Sequence, residues 1–329
     1  MIKLVKTVWQ KLSVVFKLKS PLHIGYTPFK GSVVSPTRYY VLGKNFWGAI
    51  TKRITEFLKN NSQSDSSQKY NYKNNGREVM ENFKFSNFYL YDGKTVYTPS
   101  YTDGGLKYGS IPQTEFEHMF IGSRISTAIN GKSQTAEDES LHEIEFINNK
   151  FRDEKANIKD VKIAGYIWIR DSAKICEHPV QLDTNSITIN NFNIIQELIL
   201  GGESKYGFGH VEIDAVGNNI PLEINSSEPG EQVIVTIENN KPLLHHLEYL
   251  DEIQFEGDIE LLTGRVYYDP ENEKNNESKN FDNAPGRNIS KVKPFLTPGT
   301  RVTGEREYKA ELNYDGTLIN IKKRDQNDN

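Results

Sequence analysis

Residues Gly201–Gly209 (GGESKYGFG) hold four glycines, one lysine and two aromatics in nine positions. Glycine lets a main chain approach a ligand closely and leaves amide N–H groups open to phosphate oxygens. This places Gly201, Gly202, Gly207 and Gly209 as backbone contacts, Lys205 as a phosphate partner, and Tyr206 and Phe208 as rings to stack on a base or ribose. The plain alternative is a turn joining two elements, although four glycines exceed what a turn needs.

A second stretch, Ser20–Arg53, interleaves Lys30, Arg38, Lys44, Lys52 and Arg53 with Tyr26, Phe29, Tyr39, Tyr40, Phe46 and Trp47. Cations for the backbone and π faces for unstacked bases suit a single-stranded nucleic acid. Phe46 and Trp47 read better as core. Arg38, Tyr39, Lys44, Asn45 and Lys52 are the contact candidates, and Gly43-Lys44 ahead of a helix suits phosphate capture by first-turn amides.

Three other motifs fall away. Asn130-Gly131-Lys132-Ser133 ends like a P-loop, but Ser126 stands where the first glycine is required. Cys176 and His178 are too few for a metal site, so no metal is expected. The pair His245-His246 lies in an acidic stretch without an evident partner and reads as surface or interface.

These residues need elements to position them. Lys11–Lys19 alternates as a strand, and Phe46, Ile50, Ile54 and Phe57 recur at helical spacing over Asn45–Leu58. Residues 60–76 are polar and low in complexity, expected as a flexible excursion. Asp92-Gly93 and Asp315-Gly316 each sit between strand-like runs as hairpin turns. Lys162–Arg170 reads as a strand, Asn191–Leu200 as a short helix stopped by Gly201-Gly202, and His210–Ile213 as a strand. The order is compatible with an α+β, βαββαβ-type core over 1–217. A β-rich region follows over 218–329, with a mobile polar loop at 269–287. A chain ending near Gly217 is then expected to keep its RNA contacts.

Net charge is −4, yet residues 1–60 hold 11 Lys/Arg against Glu56 alone, while residues 211–329 hold 13 basic and 23 acidic side chains. The asymmetry suggests a basic face for a polyanion and an acidic part turned toward protein neighbours, or else chance clustering. No apolar run approaches the ~20 residues of a membrane helix. One cysteine and a lysine-rich, interrupted N-terminal run fit a cytoplasmic protein without a secretory signal, and no cofactor is expected.

Three segments in order resemble CRISPR-associated RAMP proteins: LHIG through TRYYVLGKNFWGAI, Arg124–Phe146 (RISTAINGKSQTAEDESLHEIEF), and the GGESKYGFG loop. Leu42–Ala49 is similar to that superfamily's "PGSSLKGA" helix start. Arg124, Ala128, Ile129, Asn130, Thr135, Ala136, Leu141 and Glu145 match its central segment. The resemblance covers roughly residues 8–215 and lies nearest type III effector subunits, including the III-D kind. It implies a ferredoxin-like (RRM-like) RAMP core, binding of CRISPR RNA and possible target RNA, and packing beside other effector subunits. Target-cleaving members carry an aspartate in the loop that here runs Ser20–Gly43, which has no Asp or Glu, so the expectation is a non-catalytic subunit. Repeat-processing members use a histidine general base, for which His23 stands at the comparable place, its alternative being a structural or RNA-contacting loop residue. The alternatives are a repeat-processing endoribonuclease using His23, and a β-rich module binding protein or glycan.

Overall fold

The computed structural model describes residues 9–26, 32–61, 72–137, 140–183, 185–227, 231–262, 292–304 and 307–323. The chain is α+β and mostly strand, with three α-helices among the described residues. Its organising element is the strand Trp9–Leu18, which pairs antiparallel with both Lys162–Arg170 and His210–Val216. The full order across this sheet is Glu197–Ile199, His210–Val216, Trp9–Leu18, Lys162–Arg170, Phe88–Tyr91, Tyr40–Val41, with Phe83–Phe85 also paired to Lys162–Arg170.

Strand alternation sends Val14, Phe16 and Leu18 to one face of the sheet and Trp9, Lys11, Ser13 and Val15 to the other. Helix α1 (Gly43–Asn60) covers the first face with Phe46, Ile50, Ile54 and Leu58, all buried. Burying each such side chain contributes about 1.5–3 kcal/mol. Phe57 stays half-buried and stacks on Phe192 at 4.2 Å.

Two sequence expectations change here. Residues 62–71 lie outside the described residues, but Tyr72–Gly76 is not a loop: it opens helix α2 (Tyr72–Asn82). This helix has little apolar content. It docks on α1 through buried Asn75, Gly76 and Val79, and Gly76 lies where a Cβ would come 3.1 Å from the Trp47 ring. The helix expected over Asn191–Leu200 is absent. Asn190 and Asn191 take positive φ and turn the chain between the strands Ser186–Ile189 and Phe192–Asn193; Glu197–Ile199 then joins the main sheet. Buried Ile194, Ile195 and Leu198 fit helical spacing, but sheet pairing wins. A small antiparallel meander (174–193) therefore stands where a second helix was expected.

Between the hairpin turn at Asp92-Gly93 and residue 148 lies a three-stranded meander (Pro99–Thr102, Gly105–Tyr108, Ile111–Pro112) and helix α3 (Gln113–Phe120). After α3 comes the hairpin Ile121–Ser126/His142–Ile147, extended on one side by Val34–Ser35.

Past Gly217, a seven-stranded sheet runs in the order 226–227, 234–237, 308–312, 317–323, 246–248, 293–296, 259–262. Trp9 and Trp168 are buried in its apolar cluster. The Trp9 indole donates to the Glu231 carbonyl at 3.0 Å and the Lys11 ammonium to that of Ile224 at 2.8 Å. The second face of the main sheet is thus covered by the C-terminal region. The loop expected at 269–287 lies outside the described residues. No helix among the described residues is long and apolar enough to cross a membrane.

Candidate nucleic-acid interface

The glycine loop, the connector Ser20–Tyr26 and the base of the Ile121–Ile147 hairpin meet at one place. Leu22 exchanges backbone hydrogen bonds with Ile147 at 2.9 and 2.8 Å. One residue on, the His23 carbonyl accepts from Gly202 N–H at 2.9 Å, while its ring Nδ1 lies 2.7 Å from the Glu145 carbonyl oxygen. Gly209 N–H donates to the Pro21 carbonyl at 2.7 Å. Glu145 Oε2 accepts from Thr37 N–H at 2.9 Å and Thr37 Oγ1 accepts from Ile24 N–H at 2.9 Å, which fixes the connector's far side.

Within the loop the glycines have different causes. Gly201 and Gly209 have φ of +74° and +85°, and a Cβ on either would land on a carbonyl oxygen, that of His23 or Leu200. Gly207 has φ +83° with open space around it, so only its backbone conformation requires glycine. The expected phosphate amides are largely used internally, with Gly202, Gly207 and Gly209 donating to the carbonyls of His23, Ser204 and Pro21. Phe208 is not a stacking platform: it is 7% exposed and its ring meets Phe146 edge-on at 5.2 Å. Lys205 and Tyr206 are exposed on the short helical turn Ser204–Tyr206, Tyr206 at 66%. Arg124 is exposed on the hairpin opposite Ile144, and Tyr26 is exposed at the connector's end.

The remaining candidates are placed elsewhere. Arg38 is 5% exposed; its guanidinium pairs with Glu260, donates to the Gly25 carbonyl and lies 4.2 Å from the Tyr26 ring centre. It is an internal clamp to the C-terminal sheet, because a guanidinium taken out of water needs a paired carboxylate and carbonyl to offset its desolvation. Tyr39 donates to Glu117 at 2.9 Å and packs on Tyr108 and Phe116; burial, and then the Glu145 charge, hold its hydroxyl well above the usual phenol range. The first turn of α1 does not offer its amides to phosphate. Lys44 N–H donates to the Asp315 carbonyl at 2.9 Å, and a Cβ on Gly43 would sit 2.8 Å from the Asp315 carbonyl carbon. The Asp315-Gly316 turn therefore occupies the helix start. Lys44 is half-buried, its pKa lowered by desolvation; Asn45 is half-buried; Lys52 pairs loosely with Glu56 at 3.8 Å.

Several described cations of the basic N-terminal stretch are likewise engaged. Lys17 meets Asp160 at 3.9 Å, Lys19 meets Glu212 at 2.9 Å, and Arg53 donates to the Asn193 carbonyl at 3.4 Å. Lys19 and Arg38 pair with carboxylates of the late acidic stretch, Glu212 and Glu260.

The pair His245-His246 is not on the surface; both rings are buried. His246 Nε2 lies 3.1 Å from Glu260 and 3.3 Å from the Tyr40 hydroxyl. Burial pushes both imidazoles down, His245 to about 3. Burial opposes ionisation of Glu260, but the His246 hydrogen bond and the Arg38 charge outweigh it and hold its carboxyl below the usual range. Among the described residues no group of three His, Cys, Asp or Glu could hold a metal ion. Cys176 is buried in a hairpin turn with positive φ, its thiol 2.9 Å from Asn75 Oδ1.

Sequence reasoning misses Glu145, which holds His23 by its main chain and Thr37 by its side chain, and Glu260 and Asp315, which reach the basic region from the far end of the chain. Glu145 lies within a quoted motif, but nothing local marks its partners.

No protein-family model matches the chain, and no curated protein matches its sequence. Among solved structures, a chain of the type III-B Cmr-beta bound to cognate target RNA aligns with TM-score 0.46 and 11% identity, over 89% of this chain and 86% of that one. A CRISPR protein from Archaeoglobus fulgidus aligns with TM-score 0.35 and 11% identity, over 96% and 99%. Scores and identities this low do not establish a shared fold.

Proposed function

We propose that this chain is a non-catalytic RNA-holding subunit of a type III CRISPR effector complex, built on a ferredoxin-like RAMP core. Guide RNA lies across the surface formed by the connector Ser20–Tyr26, the glycine loop and the hairpin. The observation that carries the reading is His23, whose backbone and ring tie the glycine loop to the hairpin and so hold together the segments that carry exposed Tyr26, Lys205, Tyr206 and Arg124. Rings for bases beside cations for phosphates are what single-stranded RNA needs. The three RAMP-like motifs of the sequence supply two walls of this site and the start of α1. The antiparallel order His210–Val216, Trp9–Leu18, Lys162–Arg170, Phe88–Tyr91 supports the core, being that of a βαββαβ sheet with one helix replaced. The carboxylates brought to the connector are engaged, Glu145 by Thr37 and Glu260 by Arg38, which supports a holding role. The acidic C-terminal surface suits neighbouring effector subunits.

Fluorescence anisotropy with a labelled CRISPR repeat-spacer RNA tests this. Tyr206→Ala is expected to cost ~1–3 kcal/mol of binding if the ring stacks. Lys205→Ala and Arg124→Ala are each expected to reduce the log–log salt slope by about 0.7. Unchanged affinity in all three folded variants sinks the reading. Cleavage product that accumulates in EDTA and disappears in His23→Asn would make the chain a nuclease instead.

A further inference from the structure

His23 is 6% exposed, yet its ring is not fully satisfied. A carbonyl oxygen only accepts, so the 2.7 Å contact with the Glu145 carbonyl places the ring proton on Nδ1. In the neutral imidazole this leaves Nε2 as a lone-pair acceptor of fixed direction. Among the described residues nothing donates to Nε2, and it is not one of the sealed, unpartnered atoms of the interior.

What stands over Nε2 is glycine. A Cβ on Gly25 would sit 2.9 Å from Nε2, and one on Gly202 would sit 3.2 Å from ring Cδ2. Neither glycine has a positive φ, so backbone conformation requires glycine at neither position. The missing side chains serve space at the imidazole edge. In sequence, Gly25 is followed by exposed Tyr26, and Gly202 leads into the turn that carries exposed Lys205 and Tyr206.

We propose that His23 Nε2 accepts a hydrogen bond from a ribose 2′-hydroxyl, so that this residue makes the site selective for RNA over DNA. The inference rests on the RNA-holding role above. The 2′-hydroxyl is the donor an RNA strand has and a DNA strand lacks, and a site built to bond a hydroxyl rejects an analogue that leaves its polar group unpaired. Ring stacking on Tyr26 or Tyr206 and pairing of Lys205 with phosphate serve both nucleic acids alike; the acceptor at His23 does not.

The test measures binding of the full-length chain to a single-stranded RNA and to the uracil-containing DNA of the same sequence. Wild type is expected to prefer RNA by roughly tenfold or more, the scale of one unpaired buried polar group. In His23→Asn the side-chain amide still donates to the Glu145 carbonyl but nothing remains at the Nε2 position. RNA and DNA affinities are then expected to converge. His23→Gln, whose amide oxygen can reach that position, should restore part of the preference. A scan of single 2′-deoxy positions along the RNA against wild type reads the same contact without any variant, and one position should dominate. Equal wild-type affinity for RNA and DNA, a flat scan, or a preference that survives in His23→Asn overturns the proposal while leaving RNA holding intact. Failure of wild type to bind either strand overturns the RNA-holding role itself.

Discussion

Arg38 shows how a residue's chemistry is decided by its partner. In the sequence it is one cation among aromatics; in the fold it is a buried guanidinium joined to Glu260, which in turn bonds His246. Removing one member of such a set leaves a charge in the interior without compensation. Arg38→Ala is expected to lower unfolding free energy by ~3–5 kcal/mol in urea titration, and Arg38→Met with Glu260→Gln to recover most of it. A loss below ~1 kcal/mol would show that the pair is solvated. His245 gives a pH signature. Its folded-state pKa is depressed to about 3 from an ordinary 6.5, so the unfolded chain binds the extra proton between those values. Its contribution is complete above pH 6.5 and is lost progressively as pH falls toward 3. Thermal melts of His245→Leu beside wild type should show a shallower acid limb in the variant; parallel limbs would mean that the ring is not buried.

At the scale of elements, legibility followed whether the deciding contacts were local. The stripe Phe46, Ile50, Ile54 of α1 is readable because period and burial agree, and Lys162–Arg170 because it is β-branched and central. Asn191–Leu200 reads as a helix because Ile194, Ile195 and Leu198 fit its spacing, and the pairing of Glu197–Ile199 with His210–Glu212 that makes it strand is not local. Helix α2 was hidden because it docks by Asn75 and Gly76 rather than by an apolar stripe. In the glycine loop, the need for glycine was visible but its reasons were not. Gly201 and Gly209 answer to carbonyls of His23 and Leu200, the first nearly 180 positions away in sequence. The same holds for Gly43-Lys44, which read as an anion site because nothing near it reveals that Asp315 fills it.

Across the whole molecule, the sheet that begins the chain is covered on one face by the region that ends it, and the early cations Lys19 and Arg38 pair with the late carboxylates Glu212 and Glu260. Trp9 and Trp168 lie in the C-terminal apolar cluster, and Lys11 and Arg38 find their partners there. We propose that a chain ending at Gly217, stripped of that cover, loses cooperative unfolding and binds the fluorescent dye ANS. A cooperative melt with RNA affinity retained would make residues 218–329 an accessory after all. The most direct test of the central claim is photo-crosslinking of the full-length chain to 4-thiouridine-containing RNA, with the modified peptides identified by mass spectrometry. Crosslinks are predicted at Tyr26, Tyr206 and the Arg124 strand, converging on the surface around His23. Crosslinks confined to residues 218–323, or spread without preference over the surface, would contradict it.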